Sequence, residues 1–155
     1  MKKNILWAAI VVILSAFLTK SYAGTAPEPY VNVIQKFIDG HMNGDFKAMR
    51  EVMDGESSVI FPRGETIIRE AKTDLISDMR AQGITRQNCT SNYEVLAKSD
   101  ALVLARVDFH YANATQHHFL VMEKNADKDW KIARVYEVID DKPTAPSPSN
   151  VLTSN

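Results

Sequence analysis

One cysteine, Cys89, occurs in 155 residues, so no disulfide can form within the chain in any redox compartment. A catalytic thiol there would need an activating base that the sequence does not identify, and Cys89 reads as a small strand residue. Ligands for a metal are also scarce. The four histidines contain no His-x-x-x-His pair, and His117 and His118 are neighbours in an extended run, so they point to opposite faces and cannot share one ion. No glycine-rich phosphate loop and no serine-nucleophile motif is present. The chain is therefore expected to work without a metal or cofactor.

An excess of charge is missing as well. Eighteen basic residues stand against 19 acidic ones, which gives no general attraction to nucleic acid or to anionic lipid. Only one long apolar run exists, from 5 to 18, and it is shorter than the ~20 residues that span a bilayer. Lys2 and Lys3 precede it and Ser21-Tyr22-Ala23 follows, with small residues where a signal peptidase reads. Residues 1–23 are thus expected to be a secretory signal peptide cut after Ala23, which implies a secreted or periplasmic protein with no membrane span left after cleavage. No cysteine follows the run, which argues against a lipoprotein anchor. The cut takes away Lys2, Lys3 and Lys20 and no acid, so what remains is mildly acidic. Residues 24–140 suffice for one domain with a hydrophobic core. Residues 141–155, DKPTAPSPSNVLTSN, are too poor in apolar side chains to fold and are expected to be a disordered tail.

What is present is periodicity. From Tyr30 the positions Val33, Ile34, Phe37, Ile38 and His41 form one helical stripe, with Pro29 in the first turn. Asn43-Gly44-Asp45 breaks that helix, and Asp45 can cap a second one from 46 to 53 that Gly55 ends. Two short strands follow, 57–61 and 66–69, about Pro62-Arg63-Gly64. Ala71, Leu75, Ile76 and Met79 mark a third helix, with Gly83 as its stop. From Asn88 the period changes to two, and three further strands occupy 101–139: ALVLARVDFHYA, TQHHFLVMEKN and WKIARVYEVID. The order of helix, helix, short strand pair, helix and four antiparallel strands predicts an α+β domain with its helices on one side of a sheet.

The opening helix that ends in Asn43-Gly44-Asp45-Phe46, the strand SSVIF and the closing hairpin LVMEKNADKDWKIARVYEV resemble the nuclear transport factor 2-like superfamily over residues 28 to 139. Among its secreted bacterial members the polyketide cyclase-like and lumazine-binding branches are the most similar. The resemblance implies a cone, a strongly curved antiparallel sheet wrapped around the N-terminal helix with two further short helices. It also implies a small-molecule pocket inside the cone and a homodimer across the outer sheet face. Enzymes of the superfamily place a Tyr, Asp or His in the cone as general acid or base, but no full motif here allows one member's catalytic set to be carried over.

Two versions of a site follow from the residues. Arg106, Asp108 and His110 share one face of their strand with Leu102 and Leu104. If that face is the interior, Asp108 and His110 are a base and its partner, Arg106 holds a substrate carboxylate or enolate, and His117 joins them when the loop parity allows. If it is the exterior, the same residues are interfacial hydrogen-bonders and Val107, Phe109 and Tyr111 line the pocket. His41 is an independent catalytic candidate, because its stripe must face the sheet. Phe37, Tyr30 and Tyr136 complete the candidate ligand-binding set, Tyr30 and Tyr136 through phenols able to donate. The expected function is the binding of a small apolar or amphipathic ligand, with cofactor-free acid–base isomerisation, dehydration or cyclisation as the chemistry. The rival is a non-catalytic dimerising or binding module whose pocket Phe37, Phe109 and Met122 fill.

Overall fold

The computed structural model describes residues 27–141. The expected signal peptide, and all of the expected tail beyond Asp141, lie outside the described residues.

Helix α1, Pro29–Asn43, buries the predicted stripe of Tyr30, Val33, Ile34, Phe37 and Ile38. It stops because Gly44 takes a left-handed conformation, φ 64°, which a side chain disfavours. A Cβ at Gly44 would also lie 2.7 Å from the Thr85 backbone nitrogen, so the position needs glycine twice over. Asp45 then accepts hydrogen bonds from the backbone N–H of Lys47 (2.9 Å) and Ala48 (3.2 Å) and starts α2, Phe46–Val52.

Gly55 does not end α2 as expected. The chain turns extended at Met53, and Gly55 lies inside strand β1, Met53–Arg63. The apolar residues of the strand decide this, since Ser57 to Ile60 are all buried and β1 pairs on both sides. Strand β2, Thr66–Ala71, returns antiparallel to it, and α3, Lys72–Gln82, follows. Strands β3 (Thr90–Lys98), β4 (Leu102–His110), β5 (Ala114–Lys124) and β6 (Trp130–Asp141) complete the chain.

All six strands form one sheet in the order β2-β1-β6-β5-β4-β3. The short strand pair and the four later antiparallel strands are thus parts of one curved sheet, as the expected cone requires. β1 pairs with β6 in parallel, Val59 opposite Val135, while every other pairing is antiparallel. Irregular steps at Val95/Ala97 and Val121/Met122 supply the local twist that lets the sheet curve around α1. Val103, Ala105, Val107, Phe109, Leu120, Met122, Ile132 and Val135 are fully buried on the inner face, where α1 meets β4 and β6. No helix among the described residues is long and apolar enough to cross a membrane.

Candidate functional site

Register settles which residues enter the cone. Val107 of β4 stands opposite His118 of β5, and His118 opposite Glu137 of β6. Directly opposed residues share a face, so buried Val107 carries His118 and Glu137 inward with it. The next row, Asp108 and His117, goes outward. Arg106, Asp108 and His110 therefore face outward, while Val107 and Phe109 lie on the inner face.

Inside, the C-terminal end of α1 lays the His41 ring flat on Phe109, centroids 4.0 Å apart at 24°. His118 meets both rings edge-on, 5.2 Å from His41 and 5.1 Å from Phe109. His41 Nε2 lies 3.0 Å from the Tyr111 hydroxyl. His118 is only 4 % exposed, and neither of its ring nitrogens makes a hydrogen bond. Its nearest charged neighbour is Glu137, with Nε2 3.9 Å from Oε2, too far for a hydrogen bond.

A cavity of about 190 Å³ opens against this group. His41, His118 and Glu137 give it a polar corner, while Phe37, Met49 and Met79 are among its apolar walls. Gly83, Thr85 and Gln87, from the segment after α3, reach its rim.

Burial controls the protonation of these groups by penalising their charged forms. It pushes His41 down to about 4. It takes His118 down to about 3, helped by the neighbouring His41 and His117 and opposed by Asp108. Both imidazoles are therefore neutral at pH 7. The Glu137 carboxyl moves up, first through burial and then through the charge of Glu70, and the Tyr111 phenol moves up through burial and its neighbour Cys89.

Outside, most of the polar row is paired among its own members, although Arg106 Nε, in ion-pair range of Asp108, makes no hydrogen bond. Asp108 Oδ1 is 2.7 Å from His117 Nδ1 and 3.2 Å from Arg106 Nε, and Asn92 Nδ2 donates to Asp108 Oδ2 at 3.3 Å. His117 Nε2 lies 3.2 Å from Asp140 Oδ2, and His110 Nε2 is 2.6 Å from Asn92 Oδ1. Burial pushes the Asp108 carboxyl up, but His117, Arg106 and Asn92 more than offset this and hold it below the usual range.

The interior placement of Arg106, Asp108, His110 and His117 is thus corrected, because one register choice moves all four together. Tyr136 is 40 % exposed on the same outer face. Tyr30 sits at the other end of α1, edge-on to Trp130 with Lys98 over its ring, and does not reach the cavity. Of the expected residues, His41 and Phe37 line the cavity, with Phe109 and Tyr111 directly behind His41. His118 and Glu137 were not among the candidates. The signal for His118 was the alternation of His117-His118 itself, since whichever histidine leaves the cone, the other enters it. Among the described residues no group of three or more His, Cys, Asp or Glu is placed to hold a metal ion.

No protein-family model matches the sequence, and no curated protein matches it. Solved structures do match in shape. An NTF-2-like protein of unknown function from Silicibacter pomeroyi aligns with TM-score 0.62 at 12 % identity, over 72 % of this chain and 93 % of that one. An NTF2-like protein from Cytophaga hutchinsonii gives 0.60 at 16 % identity, covering 75 % and 99 %. A ketosteroid isomerase-like protein from Erwinia carotovora atroseptica gives 0.55 at 14 % identity, covering 74 % and 98 %. Identities this low speak for the fold alone, and the fold of this chain is that of the NTF2-like cone proteins.

Proposed function

We propose that this protein binds a small, largely apolar molecule in the cone and moves a proton on it without a cofactor, as an isomerase, dehydratase or cyclase does. One observation carries the reading: His118, buried and without a hydrogen-bond partner, stands beside Glu137 on the wall of a cavity that His41 also lines. Buried polar groups are normally paired, so an orphaned imidazole at a cavity wall is a group kept for a ligand.

The two side chains suit complementary tasks. A carboxyl whose pKa is raised by burial holds a proton more readily, and can accept one and return it. A neutral imidazole can donate to the oxygen on which charge develops, and burial strengthens that contact. Phe109 and Met122, which could have plugged the pocket, are instead committed to the core beside it, and this favours an open site over a filled module. Ketosteroid isomerase-like structures among the fold neighbours agree with such chemistry.

The reading extends to assembly and compartment. The outer faces of β4 to β6 present Leu102, Phe119, Val121, Tyr136 and Val138 around the polar row, with Leu102, Tyr136 and Val138 each at least 40 % exposed. A second copy of the chain is the proposed cover. Export is proposed from the Lys2-Lys3 leader and Ser21-Tyr22-Ala23.

Four histidines supply the test, since two face the cavity and two face out. With ring-labelled histidine, NMR titration with acetophenone and related ketones of about ten heavy atoms should move His41 and His118 and leave His110 and His117 in place. In D₂O the bound ketone should exchange its α-protons, and Glu137→Gln should slow this by about a hundredfold. Movement confined to His110 and His117 would sink the reading.

A further inference from the structure

Glu137 lacks a cationic partner. Among the described residues it makes no ion pair with lysine or arginine, and its one charged contact is His118 at 3.9 Å. No lysine or arginine lines the cavity. The charges that do reach Glu137 are of its own sign. Glu70, on β2, lies opposite Val59, so it faces the same side of the sheet as that cavity-lining residue, and it acts on Glu137 through space. Asp74 and Asp78, on α3, in turn act on Glu70.

We propose that the ligand is a small organic cation, an amine of about ten heavy atoms whose ammonium group sits against Glu137 and whose apolar body fills the cavity. This rests on the cavity being the ligand site, and it adds the charge of what binds there. Three features point the same way. Glu137 lines a partly desolvated cleft and Glu70 on β2 adds to its negative potential, where a cation is concentrated and an anion is repelled. The His118 ring beside Glu137 is neutral, so it puts no positive charge in the way of an ammonium. Phe37 puts an aromatic ring, a group that attracts cations, in the cavity wall. A bare metal ion is not matched, because no three ligating side chains converge there, whereas Met49, Met79 and Val135 ask for hydrocarbon. An ammonium at this position also keeps Glu137 ionised, and so in its proton-accepting form.

The test compares three molecules of nearly equal shape on the full chain at pH 7 by calorimetry: 2-phenylethylammonium, 2-phenylethanol and 3-phenylpropanoate. The ammonium should bind about tenfold or more tightly than the alcohol, the scale of one charge-assisted hydrogen bond, and the carboxylate should not bind. Glu137→Gln should remove the preference while the alcohol binds as before, and Glu70→Gln should weaken it. Alcohol binding equal to or tighter than ammonium binding overturns the charge inference and leaves the cavity reading intact. An ammonium preference that survives Glu137→Gln also overturns it, since the cation then sits elsewhere. Failure of all three molecules to bind overturns the cavity reading and this inference with it.

Discussion

His117 and His118 are adjacent in β5 and live in opposite electrostatic worlds. His117 has a carboxylate at each ring nitrogen, Asp108 at 2.7 Å and Asp140 at 3.2 Å. His118 has none within hydrogen-bonding distance and packs against Phe37, Phe109 and His41. One step of strand pleat separates a residue paired on the sheet surface from one buried without a hydrogen-bond partner at the cavity wall.

That burial makes stability pH-dependent, with a definite sign. His41 and His118 have folded values of about 4 and about 3, below the ordinary 6.5, so below pH 6.5 the unfolded chain binds more protons than the folded one. Their contribution is complete above pH 6.5 and is lost as the pH falls from there toward 4 and 3. At pH 5 the loss should be about 2 kcal/mol per histidine. His118→Phe should match the parent in stability at pH 7 and melt higher at pH 5. Parallel melting curves for the two proteins across that range would count against a neutral buried His118.

Glu137 pulls the other way. Its raised folded value makes the folded chain hold that proton more tightly, so its contribution is present at low pH and is lost as the pH rises through the folded value. Glu137→Gln should therefore stabilise the protein most at neutral and higher pH, and should steepen its relative loss on acidification. The check is a series of melting temperatures from pH 4 to 8. A variant whose curve is offset from the parent by a constant amount would contradict the raised carboxyl.

Asp108 should matter to stability and not to the cavity. It is 5 % exposed and tied to His117, Arg106 and Asn92, so Asp108→Ala should cost about 2–3 kcal/mol in chemical denaturation by stranding buried polar partners. Ligand titration of the same variant should be unchanged. A loss of binding without a loss of stability would return Asp108 to the list of catalytic residues.

The parts legible in the sequence were those that a period encodes. The stripe from Tyr30 to Ile38 and the alternation through Val107 and Phe109 reappear as buried faces, and Gly44-Asp45 reappears as a helix stop and cap. Gly55 misled because a glycine marks a helix stop only when the next residues do not pair, and Ser58 to Ile60 pair on both sides. The site was legible as residues and not as a face. Arg106, Asp108 and His110 were easy to see because polar side chains in a strand draw attention, yet which side they occupy depends on register with β5 and β6, a long-range property. Glu137 gave no local signal at all, and only its position opposite His118 marks it.

Gly44 and Gly64 separate backbone conformation from space. Both have positive φ, 64° and 62°, but a Cβ at Gly44 meets the Thr85 backbone at 2.7 Å and one at Gly64 meets nothing within 4 Å. Gly64→Ala should cost about 1 kcal/mol, the conformational penalty alone. Gly44→Ala should cost clearly more and should also weaken ligand binding, because Thr85 is on the cavity rim. Equal costs in urea denaturation would show that Thr85 yields freely and that the rim is not tied to α1.

The outer face offers the last test, because its apolar and polar residues make different demands on a partner. Leu102, Tyr136 and Val138 are 43, 40 and 41 % exposed, and no described helix packs over them, so a second copy seated there would remove apolar surface from water at about 25 cal/mol per Å². Asp108, His117, His110 and Asn92 of the polar row are already hydrogen-bonded to one another and ask less of a partner. Tyr136→Glu should thus split a dimer by burying an unpaired charge at its centre, whereas His110→Gln, at the edge of the row, should leave it intact. Sedimentation at micromolar concentration reads both variants. A parent chain that sediments as a monomer would show that this face stays in water, and a Tyr136→Glu dimer as tight as the parent would place the contact on another surface, with the exposed Ile67 and Ile84 as the next residues to change.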